Sequence, residues 1–259
     1  MNSSQTAVPP FGSLAWAQAN GGRMSARERV LEGGRSTRAV LGLMGARAAQ
    51  RVGVPARKAV SIDIESLVFP DSRIAREAEE ECRTTVSPML YNHSVRTYIF
   101  GLMLAQRDGL KPDHEMFYVA SMLHDLTLGE THRHFAPIDC FAARGGLLAE
   151  EWTSVRGWDP SRRATVSNAI TMHLNSRVDP SFGPEAQMLR AGAGVDTIGL
   201  RYRHLAPASM EQILERYPRH GLKVSRELAF VDEGHPGTRA QFLRQLGFAK
   251  LLRTSQFAE

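Results

Sequence analysis

Apolar residues recur at helical spacing between short breaks of proline and capping residues, and this pattern constrains the fold more than any other feature. Pro70-Asp71-Ser72 reads as a helix entry, followed by Ile74, Ala75, Ala78 and Cys82 on one face. Ser87-Pro88 interrupts, and residues 89–108 then place Val95, Ile99, Leu102 and Met103 together before Asp108-Gly109 stops the run. Lys111-Pro112-Asp113 opens another helix, and Trp158-Asp159-Pro160 supplies a cap with proline at the first helical position. Further helices are expected over Ile138 to about Val155, over 184–201, from Pro207, and after Pro236-Gly237-Thr238 as one last helix through Phe242, Leu243, Leu246 and Phe248. Period-two alternation is scarce, so the expected fold is all-α, an irregular helical bundle.

The chain has 259 residues, 42% of them hydrophobic, which suffices for one sizeable core without demanding two domains. We divide it into a basic, partly irregular N-terminal extension, 1–59, and a main domain, 60–259. Residues 1–25 are rich in Ser, Gly, Ala and Pro and read as an irregular arm. Residues 26–52 read as a basic helix weakened by Gly33-Gly34 and Gly42. Its arginines account for much of the net charge of +5. A basic segment can engage nucleic acid, but no aromatic interleaving or nucleic-acid motif accompanies this one. A solvated face is the simpler reading, and an apolar face of this helix could pair subunits into a homo-oligomer. Cys82 and Cys140 suggest no disulfide framework. No secretory signal or bilayer-spanning run is evident, so a cytoplasmic protein acting on a small-molecule substrate is expected.

The chemistry concentrates in an adjacent His124-Asp125 pair at the end of the apolar run 115–123. His93 precedes it and Asp196 follows at long range, so several helices must converge if the set acts together. Taken alone, His93 reads as a satisfied core or surface histidine and Asp196 as a capping or ion-pairing carboxylate. Asp196 lies in the apolar stretch Gly194-Val195-Asp196-Thr197-Ile198, where burial without a partner is costly. A metal ion is one such partner. Mixed nitrogen and oxygen ligands suit one divalent metal, with Zn2+ first and Fe2+ or Mn2+ as alternatives.

The motifs Asn92-His93-Ser94-Val95-Arg96, Leu123-His124-Asp125-Leu126, Ala169-Ile170-Thr171-Met172-His173 and Val195-Asp196-Thr197 resemble those of the HD-domain superfamily of metal-dependent hydrolases. Within it they look closest to the cyanamide-hydratase-like branch. The resemblance covers roughly residues 60–250. It implies His93, His124, Asp125 and Asp196 as metal ligands, and Asp125 and His173 as catalytic groups. Asn92, Arg96, Thr127 and His132 are candidates for the substrate pocket. The implied chemistry is addition of metal-activated water to a small nitrile such as cyanamide, giving a urea-type product. His132, His134 and His173 could supply a second metal, although binuclear spacing is not reproduced.

Leu128 stands where nucleotidase-like HD proteins often carry Glu and cyclic-dinucleotide phosphodiesterases carry Lys. That departure weakens the alternative of a nucleotide or other phosphoester phosphohydrolase. A third reading is a non-catalytic regulatory or binding protein that retains the fold.

Overall fold

The computed structural model describes residues 8–54, 59–135, 138–225 and 232–257. Among these the fold is all-α, as expected, with no strand and only two isolated bridges, Arg23 with Thr238 and Val60 with Leu205. The helices are α1 Leu14–Asn20, α2 Ala26–Arg51, α3 Arg73–Thr85, α4 Pro88–Asp108, α5 His114–Leu123, α6 Phe141–Ser154, α7 Pro160–Met172, α8 Gly183–Ile198, α9 Pro207–Arg216, α10 Arg239–Gln245 and α11 Phe248–Arg253.

Local chemistry sets most of the starts. Ser72, Ser87, Asp113 and Asp159 each accept backbone N–H bonds at the entries of α3, α4, α5 and α7. These bonds satisfy amides that have no partner in the first helical turn. Pro88 and Pro160 occupy the first turn, where their missing N–H costs nothing.

The main core joins α3, α4, α5, α7 and α8 around Tyr98, Phe100, Phe117, Leu123, Ile170 and Leu189. Glycines set its tightest contact. A Cβ at Gly192 on α8 would collide with the Thr97 carbonyl of α4, and one at Gly101 on α4 would collide with Phe117. Hydrogen alone at Gly192 lets α4 and α8 approach closely enough to bring His93 and Arg96 against Asp196, and at Gly101 it makes room for Phe117 of α5.

Two expectations are corrected. Residues 14–20 of the supposed irregular arm form α1, and Trp16 is 1% exposed within a second core with Cys140, Phe141, Ala240 and Phe242. Its Nε1–H donates to Glu28 at 2.7 Å. This anchor is tertiary, which is why composition alone suggested an irregular arm. The last helix is also not continuous. Gly247 adopts φ +85° and separates α10 from α11, a conformation open to glycine at little cost.

Helix α2 forms through its four glycines, Gly33, Gly34, Gly42 and Gly45. Glu32 on α2 accepts the backbone and hydroxyl protons of Ser176, and Arg47 donates to the Ile198 carbonyl at 2.9 Å. These bonds seat the basic helix on the ends of α7 and α8.

Candidate metal centre

Three helices deliver the central residues. His93 lies in the second turn of α4, His124 is the C-cap of α5, and His173 is the C-cap of α7. Asp125 follows with φ −113° and ψ 11°, which ends α5 and turns its side chain toward the histidines. All four are buried. Two helices therefore end with their C-termini, the negative poles of their dipoles, at one point. That arrangement favours a cation.

The ring nitrogens are sorted in the same way in all three histidines. Nδ1 of His124 donates to the Ser121 carbonyl at 2.8 Å, and Nδ1 of His173 donates to the Ile170 carbonyl at 2.7 Å. Nδ1 of His93 faces Asp196 Oδ2 at 2.6 Å. A carbonyl or carboxylate can only accept, so each Nδ1 carries the proton and each neutral ring presents Nε2 as a lone pair. His93 Nε2 and His124 Nε2 are 3.4 Å apart. Asp125 Oδ2 lies 3.6 Å from the first and 3.1 Å from the second. Its other oxygen faces His173 Nε2 at 3.8 Å.

His93, His124 and Asp125 thus form a buried group that could hold a metal ion, with their ligand atoms all within 4.8 Å of one another. It is the only such group among the described residues. The donor set passes a chemical test of fit: two neutral imidazoles and a carboxylate match a borderline divalent ion. The hydrogen-bonded Nδ1–H groups are the outer support that metal-binding histidines use to hold their orientation.

Asp196 stands elsewhere than expected. It lies behind His93, on the Nδ1 side, and is not part of the group that faces Asp125. Arg96 grips it with two parallel bonds, Nε to Oδ1 and Nη2 to Oδ2, both 2.8 Å. Arg219 donates to Oδ1 at 2.9 Å and to the Asp196 backbone carbonyl. Each carboxylate oxygen therefore accepts two bonds. Burial alone would raise this carboxyl, but Arg96 and the bonds from His93 and Arg96 hold it far below the usual carboxylate range. Asp196, expected as a ligand, is thus held behind His93, its oxygens bonded by two guanidiniums and the His93 ring.

The remaining candidates divide. Arg96 is buried at the centre as partner of Asp196, and it also donates to the carbonyls of Tyr217 and Pro218. Asn92 donates to Pro218 at 3.0 Å. Both residues hold the segment that carries Arg219. Thr127 is buried and donates to the Phe141 carbonyl at 2.9 Å. His132 pairs with Glu81 at 2.9 Å, and His134 is exposed. Of these two pocket candidates, Thr127 braces the start of α6 and His132 pairs with Glu81 of α3. The three histidines His132, His134 and His173 do not gather into a second metal group among the described residues. Burial pushes the Cys82 thiol up to about 12, so it remains a packed thiol.

Two residues at the centre escaped sequence reading. Arg219 follows Tyr217-Pro218 with no periodic or motif context. Arg239 on α10 donates to the Thr171 carbonyl at 2.6 Å and to Asn175 Oδ1 at 2.8 Å, fixing the chain on both sides of His173. Its guanidinium also lies over the Trp16 ring, 5.2 Å from the centroid. Both arginines are nearly fully buried, and no local signal distinguishes them from the many surface arginines. No helix among the described residues is long and apolar enough to cross a membrane. No protein-family model matches the chain, and no curated protein matches it.

Proposed function

We propose that this protein is a metal-dependent hydrolase or hydratase of the HD-superfamily type that adds water to a small neutral substrate, with a nitrile such as cyanamide the leading class. The observation that carries the reading is the convergence of His93 Nε2, His124 Nε2 and Asp125 Oδ2, with both rings oriented by bonds at Nδ1. These three residues would hold the ion, Zn2+ first and Fe2+ or Mn2+ with the same donors. A divalent ion there would lower the pKa of water and so make a nucleophile available near neutral pH.

The chain's own residues carry the protons. Asp125 reaches His124 with one oxygen and faces His173 with the other. It is placed to accept a proton from water as the oxygen adds to the nitrile carbon. His173 has its Nδ1–H committed to the Ile170 carbonyl. Its Nε2, a lone pair in the neutral ring, would first take a proton handed on by Asp125, whose second oxygen faces it at 3.8 Å, and then pass that proton to the substrate nitrogen. Water thus adds across the carbon–nitrogen triple bond, and proton transfer from oxygen to nitrogen completes the amide or urea. Asp196 and its two arginines act at one remove, by holding His93.

A phosphoester substrate is less well supported. Arg96 and Arg219 both donate to Asp196, and Leu128 packs between the two cores. The test is elemental mass spectrometry of the purified full chain together with a cyanamide-to-urea assay. About one equivalent of metal per chain, lost in Asp125→Ala, is the expected result. No metal after reconstitution would turn the assignment toward the non-catalytic reading.

A further inference from the structure

Beside His173 the helices leave an apolar cleft that lies outside the His93-His124-Asp125 group. Leu43 of α2, Ala193 and Ile198 of α8, Leu243 of α10 and Phe248 of α11 form its walls. It holds about 110 Å³ of space, similar in scale to the roughly 150 Å³ apolar cavities that take up benzene. His173 lines it and also faces Asp125, so the cleft adjoins the candidate metal centre.

The polar groups on its wall are almost all committed. Arg190 donates to the carbonyls of Asn175 and Ser176, and the Glu32 carboxylate balances its charge. Asn175 accepts from Arg239, and Thr197 donates to the Ala193 carbonyl at 2.7 Å. Ser36 is the exception. It is 6% exposed, lines the cleft, and its hydroxyl has no hydrogen-bond partner among the described residues. A buried hydroxyl left unsatisfied is costly, and helical serines ordinarily bond back to the preceding turn.

We infer that this cleft binds a neutral molecule with a small apolar body, a ring or short alkyl chain, and one group that hydrogen-bonds to Ser36. An ionic ligand would meet no uncommitted charge there. Apolar walls with one or two placed polar groups are the ordinary composition of small-molecule sites. That the molecule is also the substrate rests on the reading of Asp125 and His173 given above. It extends the small nitriles of that reading to those bearing an apolar group.

Benzonitrile is the probe, with binding to the full chain followed by ligand-observed NMR. Ala39, half-buried on the α2 wall, gives a filling variant, Ala39→Phe, and Ser36→Ala removes the hydroxyl. Wild type should bind benzonitrile, with affinity about tenfold lower in Ala39→Phe, where the ring occupies the space. Ser36→Ala should weaken binding about fivefold, the loss of one hydrogen bond, and this arm stands even if the filled variant fails to fold. Asp125→Ala should lose metal and turnover yet keep the probe. Binding in wild type without metal would therefore sink the metal reading and leave the cleft assignment standing. Absence of binding, or equal binding in wild type and both α2 variants, overturns the cleft assignment.

Discussion

Two buried aspartates flank the same histidine and are treated in opposite ways. Asp196, behind His93, receives bonds from two guanidiniums and an imidazole N–H. Asp125, in front, faces the Nε2 atoms of three imidazoles across 3.1 to 3.8 Å. The residue type, burial and neighbouring histidine are shared, so none of these separates a ligand from a support. The arginines do. Where permanent cations fill the lone pairs, the carboxylate is a structural anion that fixes a ring. Where imidazole Nε2 atoms surround it, the carboxylate joins a group that could hold a metal ion.

The sharpest way to break this comparison is to remove each carboxylate in turn. Asp125→Ala should abolish metal retention and turnover, read by elemental analysis and product assay, while circular dichroism remains helical. Next in size is Arg96→Ala, which leaves Asp196 short of its main counter-charge. A buried pair broken on one side loses about 3–5 kcal/mol, measurable as a lower urea midpoint.

Asp196→Asn sharpens the comparison because it keeps the shape and removes the charge. Metal stoichiometry should persist with affinity about 10–100-fold lower, the usual cost of an outer-sphere partner. Loss as complete as in Asp125→Ala would erase the distinction between the two sites. The same variant has a pH signature. The Asp196 carboxyl is depressed in the folded state, so its stabilisation is fully present above the unfolded value of about 3.9 and declines as pH falls below it. The stability gap between wild type and Asp196→Asn should therefore shrink on acidification below about pH 4 in urea titrations. A gap that widened there would contradict the assignment.

The smallest expected effect tests the frame beneath both aspartates. Gly192→Ala places a methyl against the Thr97 carbonyl and should cost about 1–3 kcal/mol through overpacking. Because the displaced contact lies one residue from Arg96, metal affinity should fall along with the thermal midpoint. Unchanged affinity in a destabilised variant would show that the centre tolerates a shift between α4 and α8.

Much of this fold was legible because its signals are local. A serine or aspartate cap acts within one turn, and apolar spacing acts within one helix, so α3, α4, α5 and α7 could be placed from residues close in sequence. Helix α1 was not legible, because Trp16 is stabilised by residues far along the chain. The break at Gly247 was missed because apolar spacing runs straight through it.

For the centre, the sequence alone determined which residue types were available: His93, the adjacent His124-Asp125, His173, and an aspartate in an apolar stretch that had to find a partner. Tertiary structure decided what that partner was. It brought Arg96 and Arg219 to Asp196, set the three Nε2 atoms around Asp125, and opened an apolar cleft between α2, α8 and the last two helices. The physical reason is range. Helix formation and capping are settled over a few neighbouring residues, whereas the fate of a buried charge depends on which distant cation the packing of whole helices delivers to it.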